Sequence, residues 1–300
     1  MASNMKAVKL RIKSVTNTRQ ITKAMELVAS SKLRRAKDRA DRCRPYLREL
    51  RQAMNDIAGQ NTDFTSAYTK QSNSERSCCV LITGDRGMAG GYNSNVFKML
   101  EAGMAGKEFV VLPIGKKSVE YARSKHIDIV TDEFAEVASI SVSDCFEIAQ
   151  LLCDQYKKGS FGHIQLCYTS FKSMLSQSPV TSALLPIMDL KNDTLLDSQK
   201  EGSERKDGSE NVQVRHDVIW YEPDAETVFN SIVPEFLAGM LYASVCESLA
   251  SELAARRNAM DAATKNADEM LEQLNLYYNR ARQASITQEI TEIVAGADGV

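Results

Sequence analysis

Counting along the front of the chain by alternating fours and threes lands on Met1, Met5, Val8, Ile12, Val15, Arg19, Thr22, Glu26, Ala29 and Leu33. The same register runs on through Ala36, Ala40, Cys43, Leu47, Leu50, Met54 and Ile57. A heptad stripe this long describes a helix that cannot bury its own apolar seam and needs a second helix beside it. At about 1.5 Å per residue the helix would reach roughly 85 Å. Pro45 lies inside it and is expected to kink it locally.

The rear of the chain carries a matching stripe: Cys246, Leu249, Leu253, Arg256, Met260, Ala263, Ala267, Met270, Leu274, Tyr277, Ala281, Ala284, Gln288 and Thr291. Pro234 is expected to break or bend this helix near its start, and Gly296 and Gly299 to end it. The two stripes are natural partners, and alanines on the seams allow close approach. Charge points the same way. Residues 1–58 hold fifteen Lys/Arg against five Asp/Glu, and residues 224–292 hold eleven acids against five bases, although the whole chain has a net charge of only −2.

Between the stripes, short apolar runs alternate with helical stretches. Strands are expected at Cys78–Thr83, Phe109–Ile114, Ile127–Thr131, Ile164–Tyr168, Val180–Leu185 and Val218–Tyr221, and helices at Asn93–Ala105, Lys116–Ser124 and Val142–Tyr156. That alternation implies βαβ units and a parallel sheet. Gln60–Arg76 and Lys191–Asn211 read as loops, the second as a surface excursion. The expected fold is α/β: a long antiparallel coiled coil of the N- and C-terminal helices (1–58 and 224–296) plus a small Rossmann-like α/β domain (76–221, with the excursion at 191–211).

Chemistry-bearing motifs are few. The run Ile82-Thr-Gly-Asp-Arg-Gly-Met-Ala-Gly-Gly-Tyr-Asn leaves a strand and opens a helix, where a phosphate cradle would stand. Its glycines Gly84, Gly87 and Gly90 are spaced by threes, with no following Lys-Ser or Lys-Thr and no ribose-binding acid after the second strand, which favours a structural tight turn over nucleotide binding. His126, His163 and His216 have no companions at metal-ligand spacing. The seven cysteines are scattered without a Cys-x-x-Cys pair and are expected as reduced, mostly buried thiols, with the neighbours Cys78 and Cys79 facing opposite sides of a strand. No serine or cysteine sits in a nucleophile elbow. The chain is therefore expected to have no active site, cofactor or metal of its own. The front also has no apolar leader, and no run of ~20 apolar residues suggests a bilayer span.

Two readings of the helices stay open at this level. The basic front helix could grip nucleic acid, although its bases surround the stripe instead of preceding it. The polar seam residues Arg19, Thr22, Glu26, Arg256, Gln288 and Thr291 either set the register or mark where the helices meet another protein.

Three segments resemble the γ subunit of F-type ATP synthases. They are Arg11-Ile-Lys-Ser-Val-Thr-Asn-Thr-Arg-Gln-Ile-Thr-Lys-Ala-Met-Glu-Leu-Val-Ala-Ser-Ser-Lys-Leu, Ser251-Glu-Leu-Ala-Ala-Arg-Arg-Asn-Ala-Met-Asp-Ala-Ala-Thr-Lys-Asn-Ala, and Tyr278-Asn-Arg-Ala-Arg-Gln-Ala-Ser-Ile-Thr-Gln-Glu-Ile-Thr-Glu-Ile-Val-Ala-Gly-Ala. The glycine turn fits too, with Met88-Ala89 where the family more often has Leu-Cys, and the likeness weakens at Lys191–Asn211. The resemblance implies a non-catalytic rotor shaft that couples proton or sodium flow through a membrane rotor ring to ATP synthesis or hydrolysis in the catalytic head. Its implied partners are the α and β subunits of the catalytic ring, the ε subunit and the membrane c-ring, with neither nucleic acid nor a small-molecule substrate of its own. Its implied place is the cytoplasmic face of a bacterial inner membrane, held there through the complex. By the same resemblance Arg282, Gln283, Thr287 and Glu289 touch a catalytic-subunit loop, and Arg256 and Met25 serve coupling. Lys23, Lys32, Arg34 and Arg35 meet an acidic lever of that subunit, and Glu222 contacts the rotor ring or ε.

Overall fold

A computed structural model of the chain describes residues 2–60, 65–70, 72, 74–187 and 220–297. Helix α1 (Ala2–Gln60) is followed by β1 (Ser77–Ile82), α2 (Tyr92–Gly103), β2 (Phe109–Ile114), α3 (Lys116–Ser124), α4 (Val142–Lys157), β3 (His163–Phe171), β4 (Gln177–Leu185) and α5 (Ala225–Ala297). The residues group into two compact units, Met1–Ser31 with Arg256–Val300, and Lys32–Ala255.

The larger unit is built on a four-stranded sheet of order β2-β1-β3-β4. Strand β1 pairs in parallel with both β2 and β3, while β3 and β4 are antiparallel. The sheet is therefore mixed where an all-parallel one was expected. The cause is the short connection at Lys172–Ser176, which can close a hairpin but not the longer crossover that a parallel neighbour requires. The segment Ile127–Thr131 makes no named strand and contributes only the isolated bridge Val111–Ile129. Trp220 and Tyr221 are not in a strand; the rest of that expected strand, the excursion at 191–211, His216 and Gly299 lie outside the described residues.

Alternation along β1 divides the core in two. Cys78, Val80 and Ile82 face α4 and the adjoining parts of α1 and α5, where Leu47, Met54, Ile57, Ile148, Leu152, Phe229, Leu237 and Leu241 close the main cluster. Cys79 and Leu81 face the other way, against Val96, Leu100 and Met104 of and beyond α2. Helix α4 starts with a reciprocal cap, the Ser141 hydroxyl accepting from the Asp144 amide and the Asp144 carboxylate accepting from the Ser141 amide. The segment expected as a loop before β1 is anchored by Tyr68, which is fully buried, lies under the Lys157 ammonium and accepts a hydrogen bond at its carbonyl from the Ile187 amide.

Within this unit α1 and α5 run antiparallel and very close. A methyl group on Gly239 would stand 2.9 Å from Leu47 Cδ2. Leu33, Ala36, Ala250, Leu253 and Ala254 form a smaller cluster with Phe171 of β3. Pro234 does not break α5, which continues through it; the buried side chains of Phe229, Val233, Phe236 and Leu237 hold the turns on either side. The helix begins at Asp224, whose carboxylate accepts from the Thr227 amide and hydroxyl and is held below the usual carboxylate range by those bonds.

One stretch of α5 is, against the sequence expectation, apolar enough by composition to cross a bilayer, with a mean hydropathy of 1.3. More than half of it, 56%, is buried inside the protein. Phe229, Val233, Phe236, Leu237, Ala238 and Leu241 of α5 belong to the larger unit's core.

In the smaller unit the two helices again run antiparallel, as shown by Thr22 meeting Thr264 and Arg19 meeting Asp268. The front stripe is buried or half-buried at Met5, Val8, Ile12, Val15, Thr22, Glu26 and Ala29, with Arg19 exposed among them. The rear stripe departs from its expected phase. The inward positions are Met260, Thr264, Ala267, Leu271, Leu274, Tyr278, Ala281 and Ser285, so Ala263, Met270, Tyr277 and Ala284 each sit one residue off the seam. Met270 is 42% and Tyr277 49% exposed.

Candidate coupling surfaces and the family

The glycine turn after β1 is held from within. The Asp85 carboxylate accepts backbone amides of Lys116, Val137 and Ala138, tying two segments to one side chain. The Gly84 amide donates to Asn93 Oδ1. A Cβ on Gly84 would stand 2.6 Å from the carboxylate oxygen of Glu252, which is buried in α5. Glycine is required here because another chain segment presses on the backbone. The same carboxylate places an acidic group against the loop that would have to cradle phosphate, which argues for the structural turn.

Next to this turn, α5 presents a row of polar side chains to the end of β3. The Thr169 amide donates to the Ser248 hydroxyl, and the Ser251 hydroxyl donates to the Thr169 carbonyl. Glu247, 3% exposed, accepts from Arg44 at 3.1 Å and from the Ser170 hydroxyl at 3.1 Å. Burial raises its carboxyl above the ordinary value, and the Arg44 and Ser170 bonds oppose that rise. Of the positions singled out from the sequence, Lys32, Arg34, Arg35 and Glu222 belong to this larger unit, and all four are exposed. Lys32, Arg34 and Arg35 flank the buried Leu33 and Ala36, so the helix turns its seam inward and its cations outward. Trp220, two residues from Glu222, is 92% exposed.

In the smaller unit the structure gathers charges from both helices. Lys23 pairs with Glu26 at 2.9 Å and Lys265 with Asp261 at 2.8 Å. Asp261 is held below its ordinary value chiefly by the bond from Lys265, with Lys23 and Arg257 adding to it, and Lys265 is raised by Asp261 and, less, by Glu26. Lys23 is thus one member of a cross-helix network. Sequence reading missed Asp261, Lys265 and Asp268, although their spacing from Arg257 and across the seam was a usable signal. Met25 and Arg256 are half-buried, and Arg282, Gln283, Thr287 and Glu289 are exposed.

The polar seam residues divide between the two readings. Thr22 is buried and its hydroxyl meets that of Thr264 at 2.8 Å, so it sets the register between the helices. Gln288 and Thr291 are exposed and bond only along their own helix, to Glu292 and to the Thr287 carbonyl. From Ile286 to Ala295 every α5 side chain is exposed, and Ile286, Ile290, Ile293 and Val294 line one face at 45–71% exposure. That stripe was not singled out from the sequence, though its four-and-three spacing was readable.

A sequence profile of the family described as ATP synthase matches residues 4–300. The ATP synthase gamma chain of Ruminococcus albus is 43% identical over 97% of this chain and 96% of its own. The chain belongs to the ATP synthase γ family. A relative from Acetobacterium woodii, described as the ATP synthase gamma chain, sodium ion specific, is 35% identical over the full length of both. Among solved structures, a chain of the Euglena gracilis mitochondrial ATP synthase (OSCP/F1/c-ring, rotational state 3) superposes with a TM-score of 0.66 at 17% identity, covering 100% of this chain and 95% of that one. The central stalk and c-ring structure of the Tetrahymena thermophila mitochondrial enzyme gives 0.54 at 23% identity, over 81% and 99%. At those identities the likeness speaks for the fold.

Proposed function

We propose that this γ chain is the central rotor shaft of an F-type ATP synthase, coupling proton or sodium flow through a membrane rotor ring to ATP synthesis or hydrolysis in a catalytic head. The observation that carries this is the match to γ relatives along essentially the whole chain, both helices and the sheet included. The chain itself is non-catalytic, and the catalytic sites belong to another subunit. The partners are the α and β subunits around the helices, and the ε subunit and the membrane c-ring at the α/β domain. Through them the chain sits at the cytoplasmic face of a bacterial inner membrane.

The physical logic is differential binding. One shaft with unlike faces makes different contacts with several equivalent catalytic subunits, so its angle biases each toward a different nucleotide affinity. The exposed cations Lys32, Arg34 and Arg35 suit an acidic lever on the catalytic subunit, and Lys23, Met25 and Arg256 lie where the helices also bind each other. Arg282, Gln283, Thr287 and Glu289 alternate with the exposed Ile286 and Ile290, a pattern suited to a partner that encloses the helix with both polar and apolar contacts. Exposed ion pairs of this kind contribute about 1 kcal/mol or less each, so coupling must come from many of them together. Glu222 and the neighbouring Trp220 fit the rotor ring or ε.

Reconstitution with the catalytic ring subunits tests the reading. ATP turnover should appear together with rotation of a probe fixed to the sheet unit. A chain that does not co-assemble with the ring would sink it.

A further inference from the structure

We propose that Cys43 and Cys246 form a peroxide-oxidisable thiol pair whose disulfide staples α1 to α5 within the larger unit. Cys43 is the attacking thiol and Cys246 the resolving one. The two residues stand opposite each other in the antiparallel pairing of α1 and α5, between the contact of Leu47 with Gly239 and that of Arg44 with Glu247, and the two thiols are close enough to act on each other.

Access separates this pair from the other thiols. Among the described cysteines Cys43 alone is half-exposed, and Cys78, Cys79, Cys145, Cys153, Cys167 and Cys246 are buried. A second nearby pair, Cys79 on β1 and Cys167 on β3, lies on neighbouring strands but is sealed in the core beneath α2. The Cys43 thiol donates to the Arg39 carbonyl at 3.3 Å, and the neighbouring Cys246 pulls Cys43 below the ordinary thiol value against the effect of burial. Arg39 and Tyr242 lie close enough to act on Cys246, and the buried Cys145 of α4 lies close enough to Cys43 to be influenced by it. An accessible thiol with a neighbouring second thiol is the arrangement of redox-responsive cysteines.

The chemistry closes with hydrogen peroxide as oxidant. The Cys43 thiolate attacks one peroxide oxygen, the O–O bond breaks, and the departing hydroxide takes up the thiol proton as water, leaving Cys43 as a sulfenic acid. Cys246 sulfur then attacks the Cys43 sulfur; the S–O bond breaks, the hydroxide leaves with the Cys246 proton as a second water, and the S–S bond forms. Two electrons pass from the two thiols to the peroxide.

The test is a thiol map of the full chain, purified reduced, treated with hydrogen peroxide, quenched by alkylation and digested. A disulfide-linked peptide joining Cys43 to Cys246 is expected, absent from both the Cys43→Ser and the Cys246→Ser chains. A sulfenic-acid trap such as dimedone should label Cys43 in Cys246→Ser and leave Cys246 unlabelled in Cys43→Ser. Cys79 and Cys167 should stay alkylatable after denaturation. A Cys43–Cys145 bridge, a link only between two copies of the chain, or Cys43 remaining reduced while buried thiols oxidise would each overturn the proposal. The wild-type map decides this even if a serine variant folds poorly.

Discussion

Two buried acidic side chains on α5 show how position sets what a residue does. Glu247 is paired with Arg44 and Ser170 in a nearly dry site, where removing one partner strands the other. Glu247→Ala should lower the unfolding free energy by about 3 kcal/mol, measured by urea denaturation. Glu247→Gln should cost less, and it supplies a pH signature. Because burial raises the folded carboxyl above its unfolded value near 4.5, the folded state holds the proton more tightly, and stability declines as pH rises from about that value through the raised one. The stability of the native chain relative to Glu247→Gln should therefore fall on raising pH through that window; a difference independent of pH would contradict the burial argument. Glu252 acts by bulk as much as by charge. Gly84→Ala forces a methyl group onto its carboxylate and should cost roughly 1–3 kcal/mol, seen as a lower thermal midpoint, with part of the loss recovered in Gly84→Ala/Glu252→Ala. Neither carboxylate was visible as special in the sequence. Their burial comes from β1 and β3 meeting α5 far along the chain, and no local pattern encodes that.

Elements were legible in proportion to how strongly one face is buried. The front helix kept its register from Met5 to Ile57 because the large apolar residues and alanines on its seam turn inward. The rear helix slipped in phase because its seam mixes large residues with small and polar ones, so Thr264 and Ser285 face inward while Met270 and Tyr277 do not. Apolar character alone misleads where close approach selects for size. The strands β1 and β2 and helices α3 and α4 were readable from their apolar runs to within a residue or so. The bridge at Val111–Ile129 was overread, since a β-branched run without a second row of partners does not extend into a strand. Among the candidate contacts, Lys23 acts on Asp261 across the helix pair, a relation that only the pairing shows, whereas the four-residue spacing of Arg257, Asp261 and Lys265 was readable. The Thr22–Thr264 pair makes a prediction for the element. Either Thr→Val substitution alone should destabilise by about 1 kcal/mol, and the double substitution should cost less than the two combined, in a double-mutant cycle followed by circular dichroism.

For the whole molecule, the γ assignment makes rotation the observable that matters. Removing Asn275–Val300 deletes Arg282, Gln283, Thr287 and Glu289 with the exposed isoleucine face, and leaves the core of the larger unit untouched. The truncated chain should still assemble with the ring subunits, while ATP-driven rotation of a probe loses torque by several-fold; unchanged torque would remove these residues from the coupling surface. The alanine-lined pairing of α1 and α5 has a mechanical corollary. The resistance of two parallel struts to bending grows steeply with the distance between their axes, so Ala36, Ala250 and Ala254, by letting the helices approach closely, make that stretch more pliant than larger seam residues would. Replacing those alanines with larger side chains would stiffen that stretch as well as strain the packing.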